Sequence, residues 1–163
     1  MTNASAAHGV TLRLGVPGGS TNTLAGGAVG DRPDGTLALV KEGAGTLSLE
    51  GAAGFRGGLR VAAGTLEIDS PAALGGGELS FGTGGQLRLR AGGELGRMVY
   101  AENQAAANDR STRLVVPPGG GLTLTRGIEV PRAYEYGGFA IQPLGAAGAG
   151  AVTRAVLDGA ALG

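Results

Sequence analysis

The side chains here that could act as acids, bases or ligands are few and dispersed. His8 is the one histidine, and no Gly-x-Ser-x-Gly elbow or comparable nucleophile setting accompanies it, so a Ser–His relay lacks its parts. The carboxylates are Asp31, Asp34, Asp69, Asp109, Asp158, Glu42, Glu50, Glu67, Glu78, Glu94, Glu102, Glu129 and Glu135. Glycoside hydrolysis needs two of them facing one bond, and a calcium-dependent lyase needs a cluster with an arginine. Most stand singly, no two share a strand core at Asp-x-Asp spacing, and Asp31 and Asp34 sit in the turn Asp31-Arg-Pro-Asp-Gly35. There is no cysteine, which removes disulfides and thiolate metal sites. Glycine runs are not followed by Lys-Ser or Lys-Thr, and Gly75-Gly-Gly77 leads into a strand pattern, so no phosphate loop is present. The Gly-Gly-x-Gly-x-Asp calcium repeat is also missing. Tyr134 and Tyr136 would place two rings on one side of a strand, as a stacking platform for a sugar or partner or as cover for a thin interior. The expectation is no catalytic residue, no metal and no cofactor.

The elements that would have to position any site are set by composition. Thirty-five glycines in 163 residues, with only three Tyr, three Phe and no Trp, argue against long helices, because glycine costs about 1 kcal/mol in a helix interior relative to alanine. The glycines do not fall on every third residue, which excludes collagen, and 42% hydrophobic content recurring regularly disfavours disorder. One compositional regime without a linker reads as a single domain over 1–163. Thirteen basic residues balance thirteen acidic ones, so no long-range field favours nucleic acid or an anionic membrane as a partner. Met1 to His8 lacks a basic flank followed by an apolar run, and no stretch approaches the roughly 20 apolar residues of a membrane helix, so direct membrane insertion is not expected.

Short apolar-x-apolar cores bracketed by glycine recur along the chain: Val10 to Leu14, Thr36 to Val40, Thr46 to Leu49, Gly58 to Val61, Thr65 to Ile68, Gln86 to Arg90, Arg113 to Val116 and Gly121 to Thr125. Period two marks strands. Leu37, Leu59 and Leu79 form one series, and Leu47, Leu66 and Leu87 form a second, both with steps close to 20 residues. Two interleaved series with one period describe a solenoid whose coils each supply two or three short strands and stack about 4.8 Å apart. In-register stacking predicts Glu67 beside Arg88 and Arg60 beside Ser80. The fold class is all-β, a right-handed parallel β-helix (β-solenoid), expected to be a fragment of a longer one. Parallel β-helices also include polysaccharide-degrading enzymes, which keeps that activity as an alternative to be judged on the carboxylates.

Between Gly96 and Thr112 the glycine-flanked pattern stops, and the next core leucine, Leu114, comes 27 residues after Leu87. An insertion loop at 96–112 is expected, with Glu102 to Ser111 the first choice for an interaction site, since solenoid insertions leave from one face and loops carry binding. Gly145 to Gly150 and the segment after it look like a degraded copy of Glu42 to Gly45 and its strand.

Residues 39–75 carry the most specific pattern: Lys41-Glu-Gly-Ala-Gly-Thr-Leu-Ser-Leu49, then Gly57-Gly58, then Ala63-Gly-Thr-Leu66 and Ala73-Leu-Gly75. This order and spacing resemble the passenger-associated transport repeat of bacterial autotransporters. The resemblance implies a secreted, cell-surface passenger segment, non-enzymatic, that supports transport-linked folding and display. It also implies a partner outside the segment, a C-terminal outer-membrane β-barrel of the same polypeptide. The alternative function is an adhesin region that binds a host or bacterial-surface ligand.

Overall fold

A computed structural model of the chain describes residues 8–25, 27, 29–31, 33, 35–51, 53–96, 99–101, 113–117, 121–124, 128–129, 140–143 and 154–157. Among these the apolar-x-apolar cores become strands: β1 (His8–Gly15), β2 (Thr21–Ala25), β3 (Gly35–Glu42), β4 (Thr46–Glu50), β5 (Leu59–Val61), β6 (Thr65–Ile68), β7 (Leu79–Phe81) and β8 (Gln86–Leu89). They continue as β9 (Gly93–Leu95), β10 (Val99–Ala101), β11 (Arg113–Val116), β12 (Gly121–Leu124), β13 (Ile128–Glu129), β14 (Ala140–Pro143) and β15 (Arg154–Leu157). Every pairing between them is parallel. A parallel partner cannot be the next strand across a three-residue corner, so each strand pairs with its counterpart one coil away.

The result is a parallel β-helix with three sides. One sheet runs β1-β3-β5-β7-β10-β13, a second β2-β4-β6-β8-β11-β14, and a third β9-β12-β15. In the earlier coils the third side is irregular: a Gly30–Gly54 bridge, buried Val29, Phe55 and Leu74, and a 3-10 turn over Pro71–Ala73 whose last carbonyl accepts the Ala53 N–H at 3.0 Å.

Alternation within each strand puts every second side chain inside. The first sheet stacks Leu12, Leu39, Leu59, Leu79 and Val99 in one inward column. The second stacks Leu47, Leu66, Leu87 and Leu114 in another, and Leu24, Leu49, Ile68 and Leu89 beside it. Leu39, Leu49, Leu66, Ile68, Leu79 and Leu87 are wholly inaccessible, each stabilising the rod by roughly 1.5–3 kcal/mol relative to exposure.

The second predicted series, Leu47–Leu66–Leu87, stacks as expected, and so do the outward neighbours Glu67–Arg88 and Arg60–Ser80. The first series needs a correction of two residues: Leu39, not Leu37, lies over Leu59, while Leu37 pairs with Val10 and accepts the Gly57 N–H at 2.9 Å. A shift of two keeps every inward side chain inward, so alternation alone cannot distinguish the two registers. The first series also continues past Phe81, because Val99 pairs with Leu79 and Ile128 with Val99. The proposed loop at Glu102 to Ser111, Tyr134, Tyr136 and the glycine-rich run 145–150 lie outside the described residues.

Candidate functional site

Among the described residues, the charged side chain that lies in the apolar interior is Lys41. In β3 it shares the inward parity of Leu37 and Leu39, and it occupies the column position held by Leu14, Val61 and Phe81 in neighbouring coils. It is fully buried and is the only lysine of the sequence; the other basic residues are arginines. Its Nζ donates to the carbonyls of Glu42 at 2.9 Å, Gly43 at 2.7 Å and Ala63 at 3.1 Å. Three N–H groups meet three oxygens, so the ammonium is saturated without a carboxylate. Burial lowers its pKa from the ordinary lysine value, while the three carbonyl dipoles favour the charged form and oppose that shift.

The corner around this ammonium gives each repeat position a physical task. Gly43 turns the chain at φ +75, and Gly64 does so one coil later at φ +66. A Cβ on Gly64 would fall under 3.0 Å from the carbonyl oxygens of Gly43 and Gly45, and one on Gly45 would strike the Pro17 and Ser20 oxygens. The corners are therefore nested backbone on backbone, tied by Gly45 N–H to Val16 O at 2.9 Å and Thr65 N–H to Gly45 O at 3.1 Å. Thr46-Leu47 and Thr65-Leu66 then open the next face in register. Glu42 points outward and pairs with Arg13 of the preceding coil.

Asp31, Glu42, Glu67 and Asp69 are engaged in holding coils together. Asp31, its side chain 8% exposed, accepts from the Leu37 N–H at 2.7 Å, the Arg56 N–H at 3.1 Å and Arg56 Nε at 2.7 Å. The Leu37 amide and then the Arg56 side chain hold its pKa below the usual aspartate value. On the outer face of the second sheet Arg90 gathers Glu67 at 2.7 Å, Asp69 at 3.0 Å and Ser48 Oγ at 2.9 Å, with Glu50 at 3.9 Å. The Gly51 N–H at 2.9 Å and then Arg90 lower the Asp69 pKa. Arg88 adds a 3.4 Å contact to Glu67. Glu67 and Asp69, two residues apart, both pair with the Arg90 guanidinium, and Arg88 supplies Glu67 with a second positive charge. Asp34, Asp109, Asp158, Glu102 and Glu135 lie outside the described residues. Among the described residues no three His, Asp or Glu side chains converge as metal ligands, and no helix is long and apolar enough to cross a membrane.

Reading the residue types alone missed Lys41 as an interior group and Arg90 as a cross-coil hub. The signal for Lys41 was available in the alternation Leu37-x-Leu39-x-Lys41. The signal for Arg90 was not, because its partners come from the two preceding coils.

No curated protein and no solved structure matches the chain. A family model does match, that of the passenger-associated transport repeat, over residues 39–68. Those residues run from within β3 to β6 and include Lys41 with its acceptors Glu42, Gly43 and Ala63, so the stretch similar to the passenger-associated transport repeat is the one built around the buried ammonium.

Proposed function

We propose that the chain is a non-enzymatic structural segment of a secreted, cell-surface autotransporter passenger of a Gram-negative bacterium, a stalk that supports transport-linked folding and display. The observation that carries this reading is the coincidence of the transport repeat with a junction between stacked coils, where backbone corners nest and one buried ammonium bridges them. Stability in a solenoid is a sum over neighbouring repeats, so coils can be added one after another to a chain emerging through a pore. The partner is a C-terminal outer-membrane β-barrel of the same polypeptide, beyond this segment. The engagement of Asp31, Glu67 and Asp69 in ion pairs and amide caps favours a structural role for the acidic residues over glycoside cleavage. The test is deletion of residues 39–68 from the complete passenger–barrel polypeptide, read as protease-accessible passenger on intact cells. Loss of folded passenger at the surface is expected, and unchanged display refutes the reading.

A second reading, an adhesin, is favoured by one observation. Eleven residues separate β10 from β11, where three or four separate β3 from β4, β5 from β6 and β7 from β8. Deleting 102–111 and measuring attachment to host cells separates the two: a stalk is indifferent to the deletion, and an adhesin loses binding.

A further inference from the structure

We propose that Lys41 is the residue that sets the register in which its coil stacks on the next one. The inward pattern Leu37-x-Leu39-x-Lys41 can meet Leu59-x-Val61 in two ways without turning an apolar side chain outward. In the observed register Leu39 lies on Leu59 and Lys41 on Val61. In a register slipped by two, Leu37 would lie on Leu59 and Lys41 would lie on Ala63, drawing that residue into the strand ladder. The Ala63 carbonyl is the third acceptor of the ammonium in the observed register, 3.1 Å from Nζ, and it is available because Ala63 sits in the corner after β5. Slippage therefore removes one of three acceptors from a cation that has no access to water. A buried charge left short of partners costs far more than a lost apolar contact, and a single polar group in a core column is the best-attested means of fixing register. The apolar columns make the coils stack; the ammonium decides where. Arginine, with five donors in a planar fork, does not match three oxygens gathered around one point, which agrees with the single use of lysine in a chain otherwise supplied with arginine.

The native sequence has no cysteine, so engineered pairs report register directly in the full chain. On the outer face Val40 is opposite Arg60 in the observed register, at the roughly 4.8 Å of adjacent strands, which suits a disulfide. Ala38 and Arg60 are diagonal in that register, and would be opposite only after a slip of two. With Lys41 present, the pair Val40→Cys/Arg60→Cys should oxidise to an intramolecular disulfide and Ala38→Cys/Arg60→Cys should stay reduced. With Lys41→Met, the Ala38–Arg60 pair should crosslink at least about tenfold more, the population shift that about 1.4 kcal/mol produces. If Lys41→Met forms no β-structure, Lys41→Gln, which retains two donors, is read in the same way. A Lys41→Met or Lys41→Gln chain that folds and keeps the parent crosslinking pattern overturns the proposal. So does acylation of Lys41 in the folded parent at the rate of the unfolded chain, since a caged ammonium should react about a hundredfold more slowly.

Discussion

Two glycine-to-alanine substitutions probe the nested corner, at Gly45 and Gly64, and a third, at Gly51 beyond β4, serves as their reference. Gly51 has φ +77 with open space around the position of a Cβ; Gly45 has no left-handed φ but carbonyl oxygens of Pro17 and Ser20 in the way; Gly64 has φ +66 together with the oxygens of Gly43 and Gly45. A non-glycine residue in the left-handed region costs about 1–2 kcal/mol, and forcing one extra carbon into a packed site costs about 1–3 kcal/mol. Gly51→Ala should therefore lose about 1–2 kcal/mol, Gly45→Ala about 1–3 kcal/mol, and Gly64→Ala, which combines both effects, about 2–5 kcal/mol. The carbon on Gly64 meets backbone on the adjacent coil, where no flexible side chain can move aside, which places its cost in the upper part of that range. The assay is urea unfolding followed by far-ultraviolet circular dichroism, with the slope checked so that a shifted midpoint reports stability. If Gly64→Ala falls within about 0.5 kcal/mol of Gly51→Ala, the margin of an ordinary surface substitution, the coils are not in backbone contact at this corner and the account of the repeat fails.

Two further outcomes follow from the same contacts. Asp31 and Asp69 have pKa values lowered in the folded chain by amide and arginine hydrogen bonds, so their contribution is complete above the unfolded aspartate value and is lost as pH falls through the lower folded value; stability should drop on acidification below about pH 4, and an Asp31→Asn/Asp69→Asn chain should show a flatter acid limb in the same titration. Leu66, wholly buried mid-column, should lose about 2–5 kcal/mol on change to alanine, while Leu37→Ala, at a half-buried position, should lose clearly less; equal losses in thermal unfolding would restore Leu37 to the stacked column.

How much was legible can be judged from particular residues. Glycine brackets and Leu-x-Leu cores require only local chemistry, and they correctly announced parallel strands, a period of 20 and the Leu47–Leu66–Leu87 column. The same local information misassigned Leu37, because a period-two pattern is unchanged by a shift of two. Glu67 beside Arg88 could be foreseen from the period; Arg90 gripping Glu67, Asp69 and Ser48 could not, because a long side chain reaches across several coils and alternation specifies only its face.

By itself, the order of residues determined that the chain turns at glycines, alternates its leucines and, in its central coils, repeats about every 20 positions, since sterics and apolar burial act at each residue independently of what lies across the rod. Which coil meets which position of the next, and that the three partners of the inward-facing lysine are backbone oxygens from two coils, were decided by tertiary structure. A carbonyl carries no mark in a sequence; only when Gly43 and Gly64 turn left-handed on stacked corners do the oxygens of Glu42, Gly43 and Ala63 converge on one cation.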